Sequence, residues 1–494
     1  MRITFRDATG TVKINYLQSL VLLYLPCETF SASHPDGRTL LASLDLAADG
    51  NLTASVTLTV DDRTASASES VAFDPSVRLF ARNHLGRTFL KAAETLFGYR
   101  APWGVLTGIR PAKLAAKYRQ TESSEQVEKR LTGEYLVRPG KAKLAVRTAE
   151  TETRLVEAMP PRSCSLYVSI PFCPTRCRYC SFVSTATPRL FSLIPAYLER
   201  LKTDLAAIAS TVKALDLSLL SIYIGGGTPA ILSPEQTEDL LAHIERFFPL
   251  DSLREYTFEA GRPDCITKEK LQVLRAHAVN RISVNTQTAS DEVLRAVGRS
   301  HTFADYARAM VLARAADIPA VNTDLIAGLP GESVDSFRRS LDSVLAFSPE
   351  NITVHAFTLK KSSEFRTENL AAIEVNSKAA LAMTDYASET LSVNGYAPYY
   401  LYRQKNTVGN LENAGFARPG FEGLYNIYMM GEYHTVFSAG AGAVTKYVSR
   451  DGETIKRVFC PKYPYEYLDP SVYGGFDAAT AVQFYETSFA LRKD

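Results

Sequence analysis

"SLYVSIPFCPTRCRYC", residues 165–180, runs from a short β-rich stretch straight into three cysteines. Ser165–Ile170 reads as a strand, ending at Phe172, and the loop after it carries Cys173, Cys177 and Cys180. Gaps of three and two residues in a loop place three thiolates in one small volume. Thiolates are ligands of zinc and of iron–sulfur clusters. Structural zinc asks for four ligands, usually from paired Cys-x-x-Cys units. This loop offers no fourth Cys or His, and position 182 is Phe182. Three thiolates on a [4Fe–4S] cluster would leave one iron open to a substrate or cofactor. A zinc site, or three buried cysteines packed as small hydrophobes, are the other readings of the stretch.

Working outward, five further β-rich runs follow: "LLSIYI", "EYTFEA", "RISVNT", "AVNTDLIAG" and "NITVHAF". Helical patterns separate them at Tyr197–Leu215, Pro234–Phe247, Lys268–His277, Ala304–Ala316 and Val334–Phe347. Strands alternating with crossover helices imply a parallel sheet. Six units fall short of the eight that close a full barrel, so the expected fold is α/β, a partial (β/α)6 barrel. Its chemistry should lie just beyond the strand ends.

Each strand end supplies a candidate. "YIGGGTPAIL" ends the second strand, and its glycines let backbone approach a ligand, for instance the amine and carboxylate of an amino acid. A purely structural glycine turn is the competing reading. Glu259 closes the third strand and Gln287 follows the fourth, with Arg299 one helix later. Asp324 interrupts the apolar fifth run. Taken singly, each reads equally well as a hydrogen-bonded strand end or a cap, as do Glu332 and Ser333 before the next helix. Together they deliver one polar group per unit to one rim. His355 and His434 could serve as proton donors, with a satisfied structural histidine the favoured reading for both.

Before the barrel, "RITF" and "TASVTLTV" read as strands of an antiparallel sheet, separated by turn-rich pieces such as "HPDGRTL". A helical pattern from Arg78 to Tyr118 is interrupted at "APWGVLTGIRPAKL", and the double proline in "AMPPRSCS" marks a boundary. Three regions are expected: an α+β domain over 1–160, the barrel over 161–398, and a small C-terminal extension over 399–494 serving as substrate pocket or lid. The composition is that of a globular protein, and a net charge of +2 points to neither nucleic acid nor an anionic membrane. "MRITFRDATG" lacks a secretory pattern, and no apolar run is long enough for a membrane span. The seven cysteines, four of them scattered at 27, 164, 265 and 460, do not form a disulfide framework. A cytoplasmic location is expected.

The Cys-x-x-x-Cys-x-x-Cys loop after the first strand and GGGTP after the second resemble the radical S-adenosylmethionine (SAM) superfamily. With "RISVNTQ", Arg299 and "NTDLIAGLPGE", residues 165–345 resemble its oxygen-independent coproporphyrinogen III dehydrogenase group. "PWGVLTGIRPAKL" and "YYLYRQKNTVGNLENAGFARPG" extend the likeness to the longer HemZ-type proteins. The resemblance implies a [4Fe–4S] cluster on Cys173, Cys177 and Cys180, with SAM on its open iron. Reductive cleavage of SAM there yields a 5′-deoxyadenosyl radical. Tyr167 and Tyr179 match residues lining the SAM sites, Tyr167 as the catalytic candidate. Gly226, Gly227 and Thr228 match the glycine cradle, and Glu259, Gln287, Arg299 and Asp324 the further polar contacts. Thr358 and Val444 match more loosely a backbone or apolar contact.

Two positions depart from the dehydrogenase pattern: Ser169 stands where it has histidine, and Phe182 where it has a further cysteine. Phe182 matches the related haem-chaperone branch. The resemblance implies oxidative decarboxylation of two coproporphyrinogen III propionates to vinyl groups, in anaerobic haem biosynthesis. The alternatives are a haem-binding chaperone or another radical reaction on a tetrapyrrole. Implied partners are the tetrapyrrole and a one-electron donor such as flavodoxin or ferredoxin. A four-carboxylate substrate calls for cations, and Arg262, Lys360, Arg403 and Lys405 are the candidates.

Overall fold

In the computed structural model, the described residues are 1–25, 28–32, 37–77, 79–180, 184–358, 370–404 and 407–489. Cys27, His34–Asp36 of the expected turn, Arg78, Phe182, Lys360 and Lys405 lie outside them.

Strict alternation organises the N-terminal unit. Its strands are β1 (Arg2–Asp7), β2 (Arg38–Leu46), β3 (Asn51–Val60) and β4 (Arg63–Ala72), in the order β1-β2-β3-β4. Along β3, Leu52, Ala54, Val56 and Leu58 are buried on the face toward the helix Phe80–Phe97, which contributes Leu85, Phe89 and Ala93. On the opposite face Thr53–Ser70, Ser55–Ser68, Thr57–Ser66 and Thr59–Thr64 form a ladder of hydroxyl pairs. One expectation is corrected here. "RITF" is not antiparallel: β1 runs parallel to β2, with Arg2 opposite Thr39, and only β2, β3 and β4 form an antiparallel meander. Alternation identifies a strand but carries no information about its partner's direction.

"VRPGKAKLAV" contributes more than a connection. Pro139 occupies the first turn of the helix Pro139–Glu157, where its missing N–H costs nothing. That helix buries Lys141, Leu144, Ala145, Thr148, Ala149 and Glu152.

The barrel strands follow the expected runs: β5 (Ser163–Ile170), β6 (Ser218–Gly226), β7 (Glu255–Gly261), β8 (Arg281–Val284), β9 (Ala320–Ala327) and β10 (Asn351–Ala356). Each pairs in parallel with the next. The crossover helices are Ile194–Ala214, Pro234–Phe247, Lys268–Ala276, Phe303–Ala315 and Val334–Leu345. Ser233, Thr267, Thr302 and Ser333 cap the last four by accepting a backbone N–H three residues on. Ser333 is thus a cap, whereas the buried Glu332 carboxyl takes the hydroxyl of Thr288.

The chain after β10 extends both edges of the same sheet. β11 (Ala397–Arg403) and β12 (Glu412–Ala417) add antiparallel beyond β10, with β12 next to it. β13 (Thr435–Ala439) adds parallel to β5, followed by antiparallel β14 (Val444–Val448) and β15 (Ile455–Phe459). The result is an eleven-stranded sheet whose six central parallel strands form the partial barrel. Among the described residues no helix is long and apolar enough to cross a membrane.

Candidate functional site

The carboxyl ends of β5–β10 surround an open cavity. Cys173, Cys177 and Cys180 line one side of it. The loop is positioned by backbone: Cys173 N–H donates to Thr185 O (3.0 Å), Cys180 N–H to Cys177 O (3.0 Å) and Arg178 N–H to Val297 O (3.1 Å). Thr228 Oγ1 donates to Cys173 Sγ at 3.4 Å. Burial raises the Cys173 thiol, with the Thr228 and Ser184 hydroxyls opposing.

The glycines after β6 lie against this loop. Gly227 N–H donates to Ile170 O and Thr228 N–H to Phe172 O, both at 2.8 Å. A Cβ on Gly227 would sit 2.5 Å from Phe172 O, and one on Gly226 would sit 2.9 Å from Ser169 Oγ with φ at +110°. Both glycines therefore line the cavity and are also demanded by the chain's own packing.

Glu259, Gln287, Arg299 and Asp324 face the same cavity, together with Tyr179, Thr228 and Thr358. Burial, then the charge of Asp324, push the Glu259 carboxyl up to about 8. Burial also pushes Asp324 upward, but His355, the Asn322 amide and Arg299 outweigh it and hold the carboxyl below its ordinary value. Asn322 Nδ2 donates to Asp324 Oδ1 at 2.8 Å, and His355 Nε2 stands 3.7 Å from Oδ2. Arg299 donates to Tyr179 Oη (3.1 Å) and Asn285 O (2.8 Å). Gln287 is held at φ +72°, a left-handed conformation costly for a residue with a Cβ. Its backbone is fixed there by bonds from its N–H to Asp324 O (2.9 Å) and from Ile326 N–H to its O (3.0 Å).

Other expected residues fall elsewhere. The Tyr167 ring stacks on Tyr223 (6.2 Å) and Tyr425 (6.1 Å) inside the barrel and does not line the cavity. Val444 opens β14 and does not line it either. Arg403 is buried as a bracket for the N-terminal unit: its guanidinium donates to Leu106 O and Gly108 O and lies over Trp103. Arg262 does line the cavity, but its fork is committed to Asp264 and its other nitrogen to Thr175. His434 is structural as expected, held by Ser163 and Ser165 and kept neutral by burial that lowers it to about 3. Ser169 is buried, donating to Ala441 O at 2.8 Å, with Tyr197 donating to Ser169 O.

His355 lies on the cavity wall, although the sequence favoured a structural role for it over that of a proton donor. Burial lowers it, but Asp324, Asn413 and Glu259 outweigh burial and hold the imidazole above its ordinary value. Asn285, Tyr402, Gln404 and Asn413 also line the cavity and were not singled out.

Residues 167–344 match the family model of the radical SAM superfamily. A Bacillus subtilis protein named oxygen-independent coproporphyrinogen-III oxidase-like protein HemZ is 38% identical over 394 residues, covering 78% of each chain. The chain belongs to the radical SAM superfamily, in its HemZ-type group. The haem chaperone HemW of Lactococcus lactis is 32% identical over 286 residues, 56% of this chain and 68% of that protein. The coproporphyrinogen III oxidase structure (HemN) of Escherichia coli shares the fold, with a TM-score of 0.50 and 22% identity over 65% of this chain and 71% of that one.

Radical SAM membership implies a [4Fe–4S] cluster and SAM, and the donor set suits both. Cys173, Cys177 and Cys180 line one side of the cavity, and thiolates are the ligands that such a cluster takes, one to each of three irons. Arg262 and Arg299 stand close enough for their charges to interact with Cys177, offsetting the negative charge that thiolates bring.

Proposed function

We propose that this HemZ-type chain is an oxygen-independent coproporphyrinogen III dehydrogenase, converting two propionate side chains to vinyl groups, each with loss of a β-hydrogen atom to the deoxyadenosyl radical, of carbon dioxide, and of one electron to an external one-electron acceptor. The observation that carries this reading is the meeting of three loop cysteines with a polar group from each successive strand end in one cavity. Cys173, Cys177 and Cys180 would hold the cluster, leaving one iron for SAM. When bound, this pair supplies a 5′-deoxyadenosyl radical that takes a hydrogen atom from a substrate carbon.

The chain's own residues bind and orient. Arg299, fixed by Tyr179 and Asn285 O, presents a guanidinium to the SAM carboxylate. Glu259 and Asp324 suit the ammonium and the ribose hydroxyls. The strained Gln287 and the close-packed Gly226 and Gly227 present polar atoms without rearrangement. Tyr167, packed against the stacked pair Tyr223 and Tyr425, supports the barrel interior beside Glu259.

A haem-chaperone reading has one observation in its favour. Ser169 is buried with its hydroxyl committed to Ala441 O, and it does not line the cavity, so it does not take the place of the dehydrogenase histidine there. Anaerobic reconstitution with iron, sulfide, reductant and SAM, followed by incubation with coproporphyrinogen III, separates the readings. Deoxyadenosine and vinyl product formed in proportion support the dehydrogenase. Deoxyadenosine without vinyl product moves the chemistry to another substrate, and a formed cluster with neither product favours the chaperone.

A further inference from the structure

The cavity has a second side, formed by β10, β11 and β12, at the far end of the strand order from the cysteine loop. Asn413 sits mid-wall on β12, opposite Tyr402 of β11 and bonded to His355 of β10. Its orientation is fixed by backbone. Ala356 N–H donates to Asn413 Oδ1 at 3.2 Å, so the oxygen must face β10, and His355 Nδ1 donates to the same atom at 3.2 Å. The amide nitrogen is left over. Asn413 is 2% exposed, and its Nδ2 has no hydrogen-bond partner among the described residues. A buried donor without an acceptor is costly, by about 1–3 kcal/mol, unless a ligand supplies one.

The neighbours specify the acceptor. Oδ1, accepting from His355 Nδ1 as well as from Ala356 N–H, polarises the amide and sharpens its N–H groups as donors. Arg262 and Arg299 both bring guanidinium groups to the cavity, against which Asp324, beside His355, is the carboxylate held below its ordinary value, while Glu259 is raised to about 8. An anion is therefore favoured over a neutral carbonyl.

We propose that Asn413, oriented by Ala356 and polarised by His355, binds a propionate carboxylate of the tetrapyrrole. This rests on the tetrapyrrole reading above, but not on the choice between dehydrogenase and chaperone, because coproporphyrinogen and haem both carry propionates. SAM also has a carboxylate, so the test must separate the two sources.

Asn413→Asp is the informative variant. It keeps the shape and the acceptor facing Ala356 N–H, and replaces the orphan donor with a second acceptor that repels a carboxylate. Reconstituted wild type and variant are titrated anaerobically with coproporphyrin III, with its tetramethyl ester in the same detergent, and with SAM. Wild type should prefer the free acid to the ester. The variant should lose about ten- to a hundredfold in acid affinity, retain SAM affinity within twofold, and lose the preference. Unchanged acid affinity in the folded variant overturns the proposal and leaves the function intact. Loss of SAM affinity alone also overturns it, assigning the carboxylate to the cofactor. Should the variant fold poorly, equal binding of acid and ester by wild type is enough to refute it. If wild type binds SAM but no porphyrin, the tetrapyrrole reading itself fails, a distinct result.

Discussion

Replacing Lys141 by methionine should destabilise the chain by about 3 kcal/mol at pH 7, and by less as the pH falls. Lys141 is 1% exposed, and its ammonium donates to Glu412 Oε1 (2.6 Å), Thr384 Oγ1 (3.1 Å) and Asp385 Oδ1 (2.9 Å). Asp385 is exposed enough to turn to water once the lysine is gone. Glu412, 3% exposed, keeps only Trp103 Nε1 at 2.8 Å among its side-chain donors. Breaking one side of a buried pair typically costs about 3–5 kcal/mol. Protonation sets the lower end: the carboxyl can be neutralised for about 1.4 kcal/mol per pH unit above its ordinary value of 4.5. At pH 7 that comes to about 3 kcal/mol, and near pH 5 to less than about 1 kcal/mol.

Trp103 is the chain's single tryptophan and is fully buried against this carboxylate, so its fluorescence reports the network directly. Urea unfolding followed by that signal gives the cost at each pH. The double variant Lys141→Met with Glu412→Gln keeps an acceptor for Trp103 and should recover most of the loss. A single variant costing under about 1 kcal/mol at pH 7, a penalty independent of pH, or a double variant as weak as the two singles summed would each refute the reasoning.

Three more outcomes are expected. Gly227→Ala should leave a folded chain that takes up much less iron on reconstitution, because its Cβ would press on Phe172 beside the cysteine loop; full iron uptake would show that the loop yields freely. Glu259, raised to about 8 by burial and Asp324, holds its proton in the folded state between about 4.5 and 8, so rising pH across that window destabilises the SAM-free fold. The stability advantage of Glu259→Gln over wild type should accordingly grow from pH 5 to pH 8 and then level off, as measured by denaturation. Arg403→Ala should destabilise by about 1.5–3 kcal/mol through the lost bonds to Leu106 O and Gly108 O, while SAM affinity stays within twofold; an affinity loss without destabilisation would return Arg403 to the site.

The barrel was legible because its information is local. Each strand is a short apolar run, each crossover a periodic stretch, and four of the helices open on a Ser or Thr cap visible in the sequence. The cysteine side of the site was legible for the same reason: its ligands follow one strand, and the rim residues follow the next four. What was not legible depends on pairing between distant segments. β1 lies parallel to β2 across an intervening helix, and β13 joins β5 from 270 residues later, as the register of Thr435 with Cys164 records. Pro139 opens a helix because it occupies the first turn rather than the interior.

Arg403 is the instructive error, because it sits one residue from the cavity and on the wrong face. In β11 and β12 successive side chains point to opposite sides. Tyr402 and its partner Asn413 face the cavity; Arg403 and its partner Glu412 face the N-terminal unit. A count of cations near a tyrosine-rich stretch cannot detect this, whereas a strand register does. The same two-residue period gives the N-terminal unit a function that its sequence did not reveal. Trp103 and Lys141 hold Glu412, and the carbonyls of Leu106, Gly108 and Ile109 hold Arg403, so one face of this strand pair is locked by buried polar contacts. The opposite face carries the side chains that close the cavity. Disturbing "PWGVLTGIRPAKL" should therefore reach ligand binding through the position of Tyr402 and Asn413, although no residue of that segment lines the cavity.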